Sequence, residues 1–343
     1  MECQAMKMKH LFSPICIGLF AIANAAAAQA QSFSFVHGSP EGHMLSRQGA
    51  EPWMECVREE SEGEVDFDYY PSGQISSTPE LFRALQSRIA DVVIIPIGYV
   101  SDELPLNGVS MLPGLGSSSK EIVAAYSEAV RNGVLADEFV SHDIMPLFVS
   151  VYPPYQMVSM GDKIESVDDF RGKVVRSAGG AMNLAISELG ASPAEIPIGD
   201  TYVALERGTA DGTISGFASI KPFSLDEIMS SMSRNGEFGT FSNVFAMRLG
   251  DFEALSDELQ QAFLECGDRV QEDMAHYLDD EVELLSQEFA ESGIDIYEFS
   301  PEALEELNER LEAVSESWVQ RLERRGHPAQ QVFDEYAAAL ADQ

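Results

Sequence analysis

Lysine, cysteine and the familiar enzymatic loops are all scarce in this chain. Six lysines stand among 343 residues, and two of them, Lys7 and Lys9, precede residue 10. The formal net charge is −36, and residues 31–343 are one unit more negative, because the first 30 hold Lys7, Lys9 and Glu2. That balance disfavours nucleic acid and anionic lipid as partners. It suits life in salt, where the Debye length shrinks to ~3 Å at 1 M and self-repulsion is screened. Beyond residue 30 only Cys56 and Cys266 remain, with no C-x-x-C. An oxidising compartment permits a bond between them; the preferred reading is two buried thiols on separate helices. Catalytic loops fail on spacing. Gly212-Thr213-Ile214-Ser215-Gly216 is G-x-x-S-G and not the G-x-S-x-G of a nucleophile elbow. Gly114-Leu115-Gly116 lacks the third glycine of a dinucleotide loop, and no Walker motif is present. His37 and His43 lie six apart without further ligands, so they read as one capping and one surface histidine and not as a metal pair. Neither metal nor cofactor is called for.

Long apolar runs are also missing. The one candidate, residues 11–23, is short of the ~20 residues that span a bilayer. It follows Lys7 and Lys9 and ends in small residues up to Ala30, the order of a cleaved secretory leader over residues 1–30. Cys16 precedes most of that run, which argues against a lipid anchor.

What is there reads as α/β. Residues 31–36 and 65–70 alternate as strands, and 92–95 form a continuous β-branched run closed by Pro96. Helical spacing covers 44–60 and about 79–88, which gives β-α-β-α-β in the first hundred residues. The order returns with strands at 145–151, 155–160, 173–176, 194–197 and 213–215. Helices are expected at 181–189 and from a cap at Asp200 through Arg207. Two such units argue for two lobes with parallel sheets. Acidic amphipathic helices are expected at 257–292 and 301–325. With no linker in sight, the lobes are divided as 31–152 with about 241–281, and 153–240 with about 282–343. The chain would then cross between them near 152 and 240.

Arg176 stands out within this frame. It ends a strand and is followed by Ser177-Ala178-Gly179-Gly180 and a helix start near Ala181. Ligands bind at such strand ends in α/β sheets. A guanidinium can grip a carboxylate with two parallel hydrogen bonds, and a helix N-terminus adds anion affinity. The alternative, from spacing alone, is an ordinary salt bridge to one of the many carboxylates.

The series from Asp169-Phe170-Arg171-Gly172-Lys173-Val174-Val175-Arg176 continues through Leu189-Gly190-Ala191-Ser192-Pro193. It runs on through the tyrosine-bearing stretch Asp200 to Gly208, and reaches Asp211-Gly212. In this order it resembles the solute-binding proteins of tripartite ATP-independent periplasmic (TRAP) transporters. Tyr69-Tyr70-Pro71-Ser72-Gly73-Gln74 is similar to the family's Y-P-x-x-Q turn, and the likeness covers nearly the whole chain after the leader. The resemblance implies a two-lobed periplasmic-binding-protein-like fold of class II type, with two mixed sheets flanked by helices and a long helix bridging both lobes. It also implies a periplasmic monomer that binds a small-molecule carboxylate through Arg176 and delivers it to a membrane permease of small and large subunits. Many members carry an asparagine where this chain has Ser215. The second carboxylate contact is therefore open, and the sequence points to an apolar or aromatic wall from Tyr155, Phe217 and Tyr99. His37 and Gln74, at strand ends of the first lobe, are candidate polar contacts. Competing readings are a secreted hydrolase using Ser215 or a histidine, which lacks a recognisable triad, and a ligand sensor on the same fold.

Overall fold

The computed structural model of the chain describes residues 30–343. The expected leader therefore lies outside the described residues, apart from Ala30. Eleven strands run through the described residues: β1 (Gln31–Val36), β2 (Val65–Tyr70), β3 (Val92–Pro96), β4 (Ile144–Val151), β5 (Gln156–Ser159), β6 (Val174–Ser177), β7 (Ser192–Glu195), β8 (Gly212–Ser215), β9 (Ser231–Ser233), β10 (Ser242–Arg248) and β11 (Asp295–Tyr297).

They form two sheets, one in each lobe. The first has the order β2-β1-β3-β10-β4 and the second β11-β9-β5-β8-β6-β7. In the first, β1 pairs in parallel with β2 and β3, as two consecutive β-α-β units require. β3 is buried at every position because it sits inside the sheet with both faces covered. β10 is antiparallel to both β3 and β4, so the sheet is mixed, as the resemblance implies, and not purely parallel, as the element order alone suggests. The same holds in the second sheet, where β6 is parallel to β7 and β8 while β5 runs against β8 and β9. The chain passes from the first sheet to the second between Val151 and Gln156, and returns between Ser233 and Ser242.

One helix, Asp257–Glu291, runs behind both sheets. Its 35 residues make it about 52 Å long at 1.5 Å per residue. Ser256 caps its start by accepting from the Leu259 N–H. Its first half packs on β4 and its second on β11 and helix Phe217–Ile220. Gly267 allows the close approach to β4: a Cβ there would stand 3.0 Å from the Leu147 carbonyl oxygen. Next to it, Cys266 is bonded to Cys56 of helix Glu51–Glu60, with the Cα atoms 5.8 Å apart. The expectation of two separate thiols is overturned. The two helices lie side by side, which spacing along one chain does not reveal. The tail then crosses back. Helix Pro301–Glu323 packs on helix Ala181–Glu188 of the second lobe, but helix Ala329–Ala341 packs on helix Ser119–Arg131 of the first, although it falls in the 282–343 stretch assigned to the second.

Candidate functional site

A cavity of about 560 Å³, including its mouth, opens between the two sheets at the carboxyl ends of β1, β3 and β6. Arg176 reaches it from β6, where it lies between Thr213 of β8 and Ala194 of β7. The residue is only 2% exposed, yet among the described residues no ion pair involves it. Its Nε donates to the Ile196 carbonyl at 2.7 Å and its Nη2 to the Tyr99 hydroxyl at 3.0 Å, while Nη1 makes no hydrogen bond to protein. Arg248 shows what a structural arginine looks like in the same molecule. It is equally buried, but it pairs with Asp91 at 2.9 Å and with Asp251, and donates to two backbone carbonyls. A buried guanidinium without a carboxylate is costly unless an anion joins it.

Tyr99 joins the lobes. It sits in the turn Ile97–Val100 that follows β3, and its hydroxyl accepts from both Arg176 and the Ile198 N–H of the second lobe, the latter at 2.8 Å. Ile198 begins helix Ile198–Glu206, which has no side-chain cap of its own. Asp200 therefore lies in the first turn and is not the cap that was expected. The cap comes from Tyr99 across the cleft. With two donors already received, the Tyr99 O–H proton remains to be given to a ligand. The helix start near Ala181 does not face the cavity; Ile198 does. Gly179 and Gly98 explain this. Gly179 takes φ +94°, and a Cβ on it would fall 2.6 Å from the Gly98 carbonyl oxygen, so that glycine run is spent on close contact between the lobes.

The other expected residues divide. His37, Tyr155 and Ser215 line the cavity with Tyr99 and Arg176; Gln74 and Phe217 do not. Gln74 is exposed. Its turn folds under His37 through Gly73 N–H to the His37 carbonyl at 3.0 Å, which leaves the glutamine side chain in solvent. Phe217 points into the core of the second lobe, stacked on Phe289 with ring centroids 6.2 Å apart, and Ser219 of the same short helix takes the cavity side. Tyr155 is buried over Gly216 and lies parallel to Phe241. Together with Tyr152 and Phe223 these rings give the cavity an aromatic wall.

The histidines need correction. His43 is buried, not on the surface, and lines the cavity with His37. Each Nδ1 accepts a backbone N–H, from Ser39 to His37 and from Leu45 to His43, so each neutral ring carries its proton on Nε2. Those Nε2 atoms meet the hydroxyls of Tyr69 at 2.7 Å and Tyr152 at 3.4 Å. Burial lowers His37 to about 4; burial, then the neighbouring His37, lowers His43 to about 3. Both rings are therefore neutral at pH 7, and Arg176 is the one cation among the lining residues. Among the described residues no group of three or more His, Cys, Asp or Glu side chains is placed to hold a metal. Pattern reading missed His43, Tyr152, Phe241 and Asn243.

Two lobes closing over a buried, unpaired arginine define a solute-binding protein. Residues 35–321 match the profile described as "Bacterial extracellular solute-binding protein, family 7", and the chain belongs to that family. This is a family of receptors and not of enzymes. The chain is 22% identical to the ectoine-binding periplasmic protein TeaA of Halomonas elongata, over 98% of this chain and 97% of that one. It is 21% identical to a solute-binding protein of Albidiferax ferrireducens, in an alignment that spans 62% of each. Its fold matches, at a TM-score of 0.85 and 22% identity, a TRAP solute-binding protein from a marine metagenome that is specific for aromatic acid ligands and was crystallised with 3-hydroxybenzoate. The match covers 91% of this chain and 98% of the other.

Proposed function

We propose that this chain is the periplasmic receptor of a TRAP-type uptake system and that it captures a monocarboxylate with an aromatic or apolar body. The observation that carries this reading is Arg176, buried, unpaired and facing the cavity with Nη1 free. One carboxylate oxygen meets Nη1 and the other the Tyr99 O–H, so Tyr99 takes the part for which Ser215 lacks an amide. Tyr152, Tyr155 and Phe241 pack against the body of the ligand. The lobes, hinged near 152 and 240, exclude water as they shut, which strengthens the ion pair in the lower dielectric. The loaded monomer then docks on a permease of small and large membrane subunits. The fold likeness to the aromatic-acid binder and the secretory pattern of residues 1–30 support this reading.

Affinity must be local. A net charge of −36 repels an anion at long range, so short-range geometry and salt screening hold the ligand. A thermal-shift screen of organic acids on wild type, Arg176→Ala and Tyr99→Phe tests the proposal. Wild type should be stabilised by at least one aromatic monocarboxylate. Arg176→Ala should lose that shift while its ligand-free melting stays close to wild type, and Tyr99→Phe should weaken binding by about tenfold, the worth of one good hydrogen bond. An unchanged shift in Arg176→Ala would remove that residue from the site. Recovery of the acid unaltered after overnight incubation separates a receptor from a hydrolase.

A further inference from the structure

The carboxylate grip leaves one buried group in the cavity lining unexplained. Asn243 is 2% exposed and lines the cavity from β10, and its Nδ2 has no hydrogen-bond partner. Sheet register gives its surroundings. Asn243 lies opposite Pro96 of β3 on one side and Ser150 of β4 on the other. The Ser150 hydroxyl is buried and unpartnered as well. Two strands away, at the end of β1, is His37; beyond Ser150 on β4's side, Tyr152 meets His43.

An amide N–H buried without an acceptor is costly, so the site favours whatever supplies the acceptor. A second carboxylate does not fit there. Among the lining residues the one cation is Arg176, which serves the first carboxylate, and both imidazoles are neutral. A second ionised group beside Asn243 would be desolvated without a partner of its own. A bare hydrocarbon edge would leave the amide unmet. A hydroxyl satisfies it, since it accepts from Nδ2 and has a proton to give to Oδ1.

We infer that Asn243 forms a second polar subsite that reads a neutral hydroxyl on the ligand, so that the preferred solute is a hydroxylated monocarboxylate and neither its bare parent nor a dicarboxylate. This rests on the reading of Arg176 as the carboxylate contact. Affinities of wild type and Asn243→Leu are measured by calorimetry for benzoate, 3-hydroxybenzoate, 4-hydroxybenzoate and isophthalate. Wild type should bind at least one hydroxybenzoate about tenfold more tightly than benzoate, as one added hydrogen bond gives, and isophthalate more weakly than benzoate. In Asn243→Leu the ratio of hydroxybenzoate to benzoate affinity should fall to about one. Equal binding of benzoate and both hydroxybenzoates by wild type, isophthalate binding as tight as the best of them, or a ratio unchanged in Asn243→Leu overturns the subsite alone. Failure of wild type to bind any of the four acids overturns the aromatic-acid reading and the subsite with it. The comparison on wild type stands whether or not Asn243→Leu folds.

Discussion

At the scale of single residues, the molecule separates arginines by their company. Arg248 and Arg176 are equally inaccessible, but Arg248 has Asp91 and Asp251 and Arg176 has two neutral oxygens. Sequence pattern found Arg176 through its flanking series. It could not show the missing partner, because a salt bridge is a fact of three dimensions. The histidines give a pH prediction. Their folded values, about 4 for His37 and about 3 for His43, lie below the ordinary 6.5. Above pH 6.5 neither state protonates them and they add no pH dependence. As pH falls from 6.5 towards 4, the unfolded chain binds protons that the folded one refuses, so stability declines. At pH 5 the loss is about 2 kcal/mol per histidine. Denaturant unfolding at pH 7 and pH 5 should therefore show a smaller drop for His43→Gln than for wild type, by about that amount. Identical drops would mean that His43 titrates normally in the fold.

At the scale of elements, strands with clean alternation were legible and the returning strand was not. β1 and β2 fall where alternation puts them, residues 31–36 and 65–70. β10 was missed because Val244-Phe245-Ala246-Met247 is a short apolar run, which periodicity does not separate from a buried helix. β9 and β11 are three residues each and exist through their neighbours. The helix expected over 44–60 is real but opens with a wide π-helical turn, Leu45–Ala50, as Gly49 passes the Phe245 ring. The Cys56–Cys266 bond was hidden for a different reason: two helices 210 residues apart meet side by side, which spacing along the chain does not show. Because that bond closes a loop of 210 residues, replacing both cysteines by serine should cost about 5 kcal/mol in the chain-entropy account. Chemical denaturation of the double variant against oxidised wild type checks it, and a difference under about 1 kcal/mol would show that the packed helices do not depend on the bond.

At the scale of the whole molecule, composition spoke clearly. Fifty-seven acidic residues against 21 basic ones leave surface carboxylates crowded, and self-repulsion then opposes the compact state until salt screens it. Thermal midpoints measured from low to 2 M NaCl should rise steadily, and a flat or falling series would contradict the reading. The aromatic wall and the buried amide of Asn243 were beyond composition and motif alike, since the cavity assembles from the ends of β3 and β4, from β10 and from the two crossings. The course of the tail has a mechanical meaning. Helix Pro301–Glu323 rides on one lobe and helix Ala329–Ala341 on the other, so the two strand crossings are joined by a third strap on the far side of the molecule. Opening the lobes would have to displace the contact between those last two helices, so truncating the chain before Ala329 is expected to widen the gape and admit bulkier solutes.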